Sequence, residues 1–202
     1  MGSRFLLVEG LDDKHVMWAL LKAHGVPETF RVEELGGVDE LLTSVPLRLR
    51  IASDLERLAV ILDADEDAQT RWHALRDRIR SIGFDVPDHP KAEGTVVELS
   101  SGVRFGAWIM PNNEIPGMLE SFLAFLVPEN DDLLPTVDSF LSGIVRPRFE
   151  ESHLPKARIH SWLAVQKEPG KPLGQSITAR YLDAGAPVIV PFLAWLRAAL
   201  VD

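Results

Sequence analysis

Acidic residues follow two apolar runs of the sequence. Glu9 comes directly after the run FLLV, and Asp63 and Asp65 come after the run LAVIL. Short apolar runs bounded by turn residues are typical of buried strands, and the carboxyl ends of parallel strands meet at the sheet edge where ligands bind. Carboxylates gathered there would repel one another, and a hard divalent cation with oxygen ligands relieves that repulsion. We therefore predict an Mg²⁺ or Mn²⁺ site with Glu9 and Asp63 as ligands, and with Asp65 on the same side if the chain is still extended there.

Helix capping is the structural alternative for the other acids of these two segments. Asp12 or Asp13 can cap the helix predicted after the first strand, and Asp65 or Asp67 can cap the helix predicted after LAVIL. Side-chain oxygens at a helix start accept N–H groups that have no partner within the helix. For Asp12 and Asp67 capping is the preferred interpretation, whereas for Asp13 and Asp65 both interpretations stay open.

Further charged residues have two possible uses each. Glu120 is the only charge in MLESFLAFLV, where it can bind a metal or, as a first-turn glutamate, favour the start of a helix. Lys156 opens a predicted helix four residues before His160, and a surface role is the alternative to a catalytic one. Arg71 and Arg78 share a face of the helix after LAVIL, where they can guide a polyanion or simply face solvent.

Several classes of site lack support in the sequence. The six histidines show no HExxH or similar ligand spacing and there is no cysteine, so neither a zinc site nor a thiol nucleophile is expected. No GxSxG, GxxxxGK[ST] or GxGxxG motif is present, which argues against serine hydrolases, Walker ATPases and Rossmann dinucleotide enzymes. The acidic segments are therefore the main candidates for chemistry.

The elements that must position these acids follow an α/β pattern. Strands are predicted at 5–8, 30–35 and 58–62, and helices at 12–24, from Gly36-Gly37 to about Ala52, and at 66–82. Such alternation is typical of a mostly parallel sheet flanked by helices, and the unbroken apolar run 58–62 is expected at its centre. Residues 95–110 predict a hairpin.

The rest of the chain predicts a C-terminal helical extension. A helix is expected to begin near Pro116 and to reach about Leu126. Beyond Pro128, helices are expected at about 130–145, 155–167, 174–183 and 188–201. We place the boundary near Pro128, with an α/β domain at residues 1–128 and a helical extension packed on it at residues 129–202.

The net charge of −9 is unevenly distributed. Residues 153–202 hold six Lys or Arg and three acids, a net of +3, so residues 1–152 carry −12. An acidic protein does not favour tight nonspecific binding to nucleic acid, so any such binding would use the basic tail or bridging cations. No signal peptide is evident, and no apolar run approaches the roughly 18 residues of a transmembrane helix. Together with the absence of cysteine, this predicts a cytoplasmic protein with no membrane partner.

Read together, LLVEGLDDKHV and LAVILDADED resemble the TOPRIM domain shared by topoisomerases, bacterial primases, recombination-mediator proteins and nucleases of the overcoming-lysogenization-defect type. The hallmark of that domain is a strand-terminal Glu followed by Gly and, after a later strand, a DxD motif, which Glu9-Gly10 and Asp63-Ala64-Asp65 match. The tail and the segment PNNEIPGMLESFL are similar to a family of small stand-alone TOPRIM-like proteins of unknown function, and this similarity covers most of the chain. The resemblance implies a TOPRIM-like α/β fold that binds Mg²⁺.

The nuclease branch of that superfamily implies additional roles. Its further metal ligands are an acid four residues after the first Glu and an acid on a later helix, which Asp13 and Glu120 match here. A lysine on a following helix assists, and Lys156 is the matching position, where it would stabilise charge on phosphate. The chain departs from other branches, because its only tyrosine, Tyr181, lacks the topoisomerase context and no zinc or ATPase module is present. DNA loading would then need a partner protein such as an ATPase.

The residues and the resemblance together predict a Mg²⁺-dependent phosphodiester or phosphoryl-transfer enzyme, in particular a nuclease acting on DNA or RNA. Glu9, Asp63 and Asp65 would hold one ion, with Asp13 and Glu120 completing a second site. Glu9 can instead act as a general base. The alternative is a non-catalytic module of the same fold that binds a metal-nucleotide or a partner protein through the acidic crevice.

Overall fold

The computed structural model describes residues 3–51 and 53–202. This part of the chain forms five strands, eight α-helices and a short 3₁₀ helix at Glu151–His153. The strands are β1 (Ser3–Val8), β2 (Arg31–Glu34), β3 (Leu55–Asp63), β4 (Thr95–Glu98) and β5 (Arg104–Met110). The helices are α1 (Leu11–Ala23), α2 (Val38–Ile51), α3 (Ala68–Arg80), α4 (Leu119–Ala124), α5 (Leu133–Ser142), α6 (Leu154–Ala164), α7 (Leu173–Thr178) and α8 (Ile189–Leu200). Ala52, the predicted end of the second helix, lies outside the described residues.

The strands form a single sheet in the order β2-β1-β3-β5-β4. β1 pairs in parallel with β2 and with β3, and β3 pairs in parallel with β5. β4 pairs antiparallel with β5, which confirms the predicted hairpin. The fold is therefore α/β with a mostly parallel sheet, as the sequence predicted, and β3 lies at its centre.

Helices cover both faces of the sheet. On one face, α2 and α3 pack against a core that includes Leu58 and Val60 of β3. On the other face, α1, α4 and the helices after residue 128 share a core that includes Ala59 and Ile61 of β3 and Trp108 of β5. Because β3 is buried on both faces, its sequence is a continuous apolar run and not an alternating one.

The four helices predicted beyond Pro128 are present, and each is shorter than predicted. Their buried side chains, among them Trp162 of α6 and Phe192 of α8, belong to the same core as Leu20 of α1. Residues on both sides of the boundary thus contribute to one core. The division into an α/β domain at residues 1–128 and a helical extension at residues 129–202 stays a prediction.

Helix α8 lies directly on β5 because Gly106 has no side chain. A Cβ at Gly106 would stand 2.7 Å from the Cβ of Ala199, which is closer than two carbon atoms can pack. One turn earlier, the ring N–H of Trp195 donates to the carbonyl oxygen of Thr95 at 3.0 Å. These contacts place the last turn of α8 near the amino ends of the central strands.

No helix in residues 3–51 or 53–202 combines the length and apolar character needed to cross a membrane.

Candidate metal centre

Glu9 lies one residue beyond β1, and its side chain reaches the neighbouring strand. Its Oε1 accepts a hydrogen bond from the backbone N–H of Asp63, the last residue of β3, at 2.9 Å. β1 and β3 are adjacent and parallel, so their carboxyl ends lie at the same edge of the sheet. The fold therefore brings these two acids together.

The side chain of Asp63 joins the central strand to the start of α4. Its Oδ1 accepts a hydrogen bond from the N–H of Leu119, the first residue of α4, at 2.9 Å. This bond satisfies one of the N–H groups that a helix start leaves without an internal partner. Within the described residues, Oδ2 of Asp63 and Oε2 of Glu9 make no hydrogen bond. Each carboxylate therefore has one oxygen fixed by backbone and one left for a ligand.

Two buried acids come from the first turns of helices. Asp13, in the first turn of α1, accepts the N–H of Gly10 on its Oδ2 at 3.2 Å and is 9% exposed. Glu120, in the first turn of α4, is 4% exposed. With Glu9, Asp63 and Asp65 they form what we call the acidic cluster.

Burial and mutual repulsion raise the pKa values of three members of the acidic cluster. Burial raises the pKa of Glu9 to about 7, and the charges of Asp13 and Asp65 act in the same direction. Burial raises the pKa of Asp13 to about 6, with a contribution from the charge of Glu120. Burial also raises the pKa of Asp63 well above its ordinary value, and the charges of all four other members add to the effect. The carboxylates are close enough for each to oppose the ionisation of the others.

Glu120 differs from the other buried acids because two basic side chains of α6 lie beside it. Lys156 Nζ and His160 Nε2 each stand 3.7 Å from its Oε1, a distance of ionic contact longer than a hydrogen bond. Burial on its own raises the pKa of Glu120, but His160, a backbone hydrogen bond and Lys156 together outweigh burial and hold the pKa below its ordinary value. Of the four members whose pKa is shifted, Glu120 is therefore the one that stays ionised most readily.

Asp65 lies at the rim of the acidic cluster. It has a φ of 54°, so the extended strand has ended before it and strand alternation does not set the direction of its side chain. Its backbone exchanges two hydrogen bonds of 2.8 Å with Gly117, in the loop before α4. Its carboxylate is 49% exposed and forms an ion pair with the guanidinium of Arg71. That guanidinium also lowers the pKa of Glu9, against the larger effect of burial.

A cleft of about 550 Å³ opens beside the acidic cluster. Asp65, Arg71 and Met118 line its side toward the cluster, and Ser152 and His153 line it from the 3₁₀ helix. A cleft of this size is within the range that binds small ligands. It gives a bound molecule access to Asp65 at the rim of the acidic cluster.

The structure shows which of the acids in these two segments cap helices. Asp67 is the N-cap of α3, where its carboxylate accepts the N–H groups of Gln69 and Thr70, which confirms its predicted role. The preferred interpretation of Asp12 as a cap is wrong, because the N-cap of α1 is Gly10, whose N–H donates to the carboxylate of Asp13. Asp12 is exposed in the first turn of that helix.

The structure adds His160 to the residues beside the acidic cluster and does not include Arg78 among them. His160 lies on the same face of α6 as Lys156 and contacts the same oxygen of Glu120, and the four-residue spacing of the two is the signal in the sequence. Arg78 is exposed, and its Nη1 donates to the carbonyl oxygen of Ala74 in its own helix at 2.8 Å. Of the two arginines predicted on α3, Arg71 alone contacts a member of the acidic cluster in the described part of the chain.

The chemistry of the acidic cluster fits a hard divalent cation. All its donors are carboxylate oxygens, and four of its members are buried or partly buried. Among residues 3–51 and 53–202, no three His, Asp or Glu side chains are arranged to hold an ion as they stand. In this arrangement Arg71 contacts Asp65 and Lys156 contacts Glu120, so two cationic groups occupy positions beside the acids.

Comparison with known proteins gives a family for the chain. No curated protein and no solved structure matches it. The family model described as "Protein of unknown function (DUF3226)" matches residues 3–201, a span that includes every member of the acidic cluster and both basic residues of α6 that contact it. The chain therefore belongs to the DUF3226 family.

Proposed function

We propose that this protein is a cytoplasmic, TOPRIM-like, Mg²⁺- or Mn²⁺-dependent enzyme of phosphodiester cleavage or phosphoryl transfer, and specifically a nuclease acting on DNA or RNA. The observation that carries the proposal is the environment of Asp63. This carboxylate ends the central strand, is partly buried, and experiences the charges of Glu9, Asp13, Asp65 and Glu120 at once. Such a concentration of acids costs stability, and perturbed carboxylates of this kind cluster at functional sites.

The members of the acidic cluster divide between two ions in this proposal. Glu9, Asp63 and Asp65 would hold the first ion, and Asp13 and Glu120 would complete a second site. Divalent cations bound there supply an activated water and stabilise the leaving oxygen of an in-line displacement. Asp65 and Glu120 would exchange their present cationic partners, Arg71 and Lys156, for the ions.

The side chains of the protein itself would have four tasks. Glu9, with a pKa near 7, is able to take up a proton on its free Oε2 and so offers a general base as the alternative to ligation. Lys156 is 55% exposed, so its ammonium can turn from Glu120 toward negative charge developing on phosphate. Arg71 lines the cleft and would position the phosphate. The basic segment 153–202 would guide the nucleic acid, and a partner protein such as an ATPase would load it.

A comparison of two aspartates tests this function. Purified wild-type protein, Asp63→Asn and Asp67→Asn are incubated with single- and double-stranded DNA and RNA in Mg²⁺ or Mn²⁺, and products are measured on denaturing gels. Asparagine keeps the oxygen that accepts the N–H of Leu119, so Asp63→Asn should fold. Its rate of metal-dependent cleavage should be at least 100-fold lower than that of the wild type. Asp67→Asn keeps the cap of α3 and should cleave like the wild type. Equal cleavage by Asp63→Asn and the wild type would refute the assignment.

A second candidate is a binding module of the same fold without catalytic activity. The ion pair of Asp65 with Arg71 and the contact of Glu120 with Lys156 favour it, because both reduce the charge available to a cation. Calorimetric titration with Mn²⁺ separates the two candidates. Binding that depends on Asp63 but comes without cleavage of any of the four substrates would favour a module that binds a metal-nucleotide. Absence of Mn²⁺ binding would eliminate the metal-dependent enzyme and leave a module that binds a partner protein.

A further inference from the structure

Three arginines form a row across the amino ends of the central strands. Arg4 of β1 is the cross-strand partner of Arg57 of β3, and Arg57 is the partner of Arg104 of β5. Directly opposite residues on adjacent strands project from the same face, so the three side chains are neighbours. We call them the arginine row.

The last turn of α8 shows which face the arginine row occupies. Nη1 of Arg4 donates to the carbonyl oxygen of Leu200 at 3.3 Å, and Nη1 of Arg104 donates to that of Ala198 at 3.2 Å. The row therefore stands at the C-terminal end of α8, where free carbonyls and the helix dipole favour positive charge. Arg57 lies between these two arginines.

The outer arginines are neutralised, and the middle one is not. Arg4 pairs with Glu56 at 3.0 Å, and Arg104 pairs with Glu98. In the part of the chain that the structure describes, Arg57 makes no ion pair or hydrogen bond, and its Nη1 is buried without a partner. Burial lowers the pKa of Arg57, and the charges of Arg104 and Arg4 act in the same direction, against smaller opposite effects of Glu98 and Glu56. The site thus holds a surplus positive charge and unused N–H donors.

The position of Arg57 is costly as a purely structural feature. Like charges directly opposite on adjacent strands destabilise a sheet, and Arg57 has such a neighbour on both sides. Capping of α8 accounts for Arg4 and Arg104, which reach its carbonyls, but not for Arg57. An anion between the three guanidinium groups would satisfy the free donors and remove the repulsion, and guanidinium groups match the oxygens of phosphate.

We propose that Arg4, Arg57 and Arg104 form a binding site for a phosphate group, at the opposite end of the central strand from the acidic cluster. Arg57 and Asp63 are six positions apart along β3, which corresponds to about 20 Å along an extended strand. The two sites therefore bind different groups, and this site does not depend on the metal-dependent function proposed above. Its ligand is inorganic phosphate or a phosphate ester, including the backbone of a nucleic acid.

Thermal unfolding in EDTA tests the site with inorganic phosphate as the probe. Melting temperatures of wild-type protein, Arg57→Met and Arg148→Met are measured over a phosphate titration against chloride at equal ionic strength. Arg148 is exposed, so its substitution controls for net charge. The wild type and Arg148→Met should show a saturable rise in melting temperature, and Arg57→Met should show none. Without phosphate, Arg57→Met should melt at or above the wild-type temperature, because the substitution removes repulsion.

The proposal fails if phosphate produces no saturable shift in the wild type, or if Arg57→Met keeps that shift. If Arg57→Met does not fold, Arg57→Lys replaces it. Lysine keeps the positive charge but lacks the paired N–H donors of the guanidinium, so the phosphate affinity measured by calorimetry should fall at least tenfold. An unchanged affinity would overturn the proposed site. Asp63→Asn should keep the phosphate response, which separates this site from the acidic cluster. Parallel titrations with a mononucleotide and a short oligonucleotide distinguish the sources: tighter, Arg57-dependent binding of the oligonucleotide identifies a nucleic-acid backbone as the ligand.

Discussion

Asp63 is held by hydrogen bonds on two sides, since its backbone N–H donates to the carboxylate of Glu9 and its Oδ1 accepts from the N–H of the first residue of α4. A carboxylate fixed in this way is unable to turn away from its acidic neighbours. The repulsion between Asp63 and these acids is relieved when a carboxylate takes up a proton or when a cation binds. Both processes depend on pH, because protons and cations compete for the same oxygens. The protonation of Glu9 is the accessible measure of this coupling, because its pKa of about 7 lies in the working range of most proteins.

Substitution of Glu9 by Gln should stabilise the metal-free protein at pH 8. The folded pKa of Glu9 is about 7 and its ordinary value is 4.5, so the folded state binds the proton more tightly than the unfolded chain does. The stability from this group is fully present below pH 4.5 and is lost as the pH rises through 7. Glutamine keeps the acceptor for Asp63 N–H without the charge. In EDTA at pH 8, chemical denaturation should show a gain on the order of 1–3 kcal/mol in unfolding free energy.

Glu66→Gln is the matched control, because Glu66 is exposed beside the same cleft. It should unfold like the wild type at every pH from about 5 to 8, whereas Glu9→Gln should flatten the decline in stability over that range. A wild-type protein that becomes more stable between pH 5 and pH 8 in EDTA would contradict the raised pKa of Glu9.

At the scale of the elements, the loop before α4 positions one edge of the candidate site. Gly117 in this loop pairs with the backbone of Asp65, and it has a φ of 141°. A Cβ at Gly117 would lie 2.6 Å from Oγ of Ser121 in α4. The glycine therefore allows the loop, the start of α4 and the segment after β3 to meet.

Gly117→Ala should disturb the acidic cluster more than a comparable substitution elsewhere. Gly83 is the matched control for backbone strain alone, because it has a φ of 89° and a Cβ added there would meet no atom within 4 Å. Gly117→Ala should lower the melting temperature by several degrees more than Gly83→Ala and weaken Mn²⁺ binding measured by calorimetry. Equal effects of the two substitutions on melting and on Mn²⁺ binding would show that the close approach at Gly117 is unimportant.

Local patterns in the sequence predicted the sheet better than they predicted the contacts of the candidate site. The run LAVIL identified the central strand because burial on both faces leaves a continuous apolar segment. The pairing of Asp65 with Gly117 joins distant segments through left-handed backbone, which no local pattern records. The cap of α1 was misassigned for a related reason. The N-cap Gly10 has no side chain that could cap the helix, and its N–H donates to the carboxylate of Asp13, three residues later. The contact between Glu120 and α6 depends on tertiary packing.

At the scale of the whole molecule, helices from the C-terminal part complete the core and reach the acidic cluster. α7 and α8 pack on the same face as α1, and α6 brings Lys156 and His160 to Glu120. The α/β part and the helical extension therefore depend on each other for both burial and charge balance.

A fragment of residues 1–128 should not unfold cooperatively on its own. Removal of α5–α8 would expose Leu20, Ala59 and Trp108 of the shared core. Burial of this apolar surface supplies free energy that offsets the conformational entropy lost on folding, and the fragment would lack that contribution. Circular dichroism during heating should show a broad, weak transition for the fragment and a sharp one for the full chain. Mixing the fragment with residues 129–202 should restore a sharp transition. A sharp transition of the fragment alone would establish residues 1–128 as an independent domain.

The left-handed backbone of Asp65 limits what relatives of this protein can carry at that position. At a φ of 54°, Asp, Asn and Gly are tolerated, whereas Glu, although an equally good oxygen donor, would add roughly 1 kcal/mol of backbone strain. Sequence variation in the family should therefore run from Asp to Asn or Gly and avoid Glu. The same restriction makes Asp65→Asn the informative variant, since Asp65→Ala would combine loss of charge with strain.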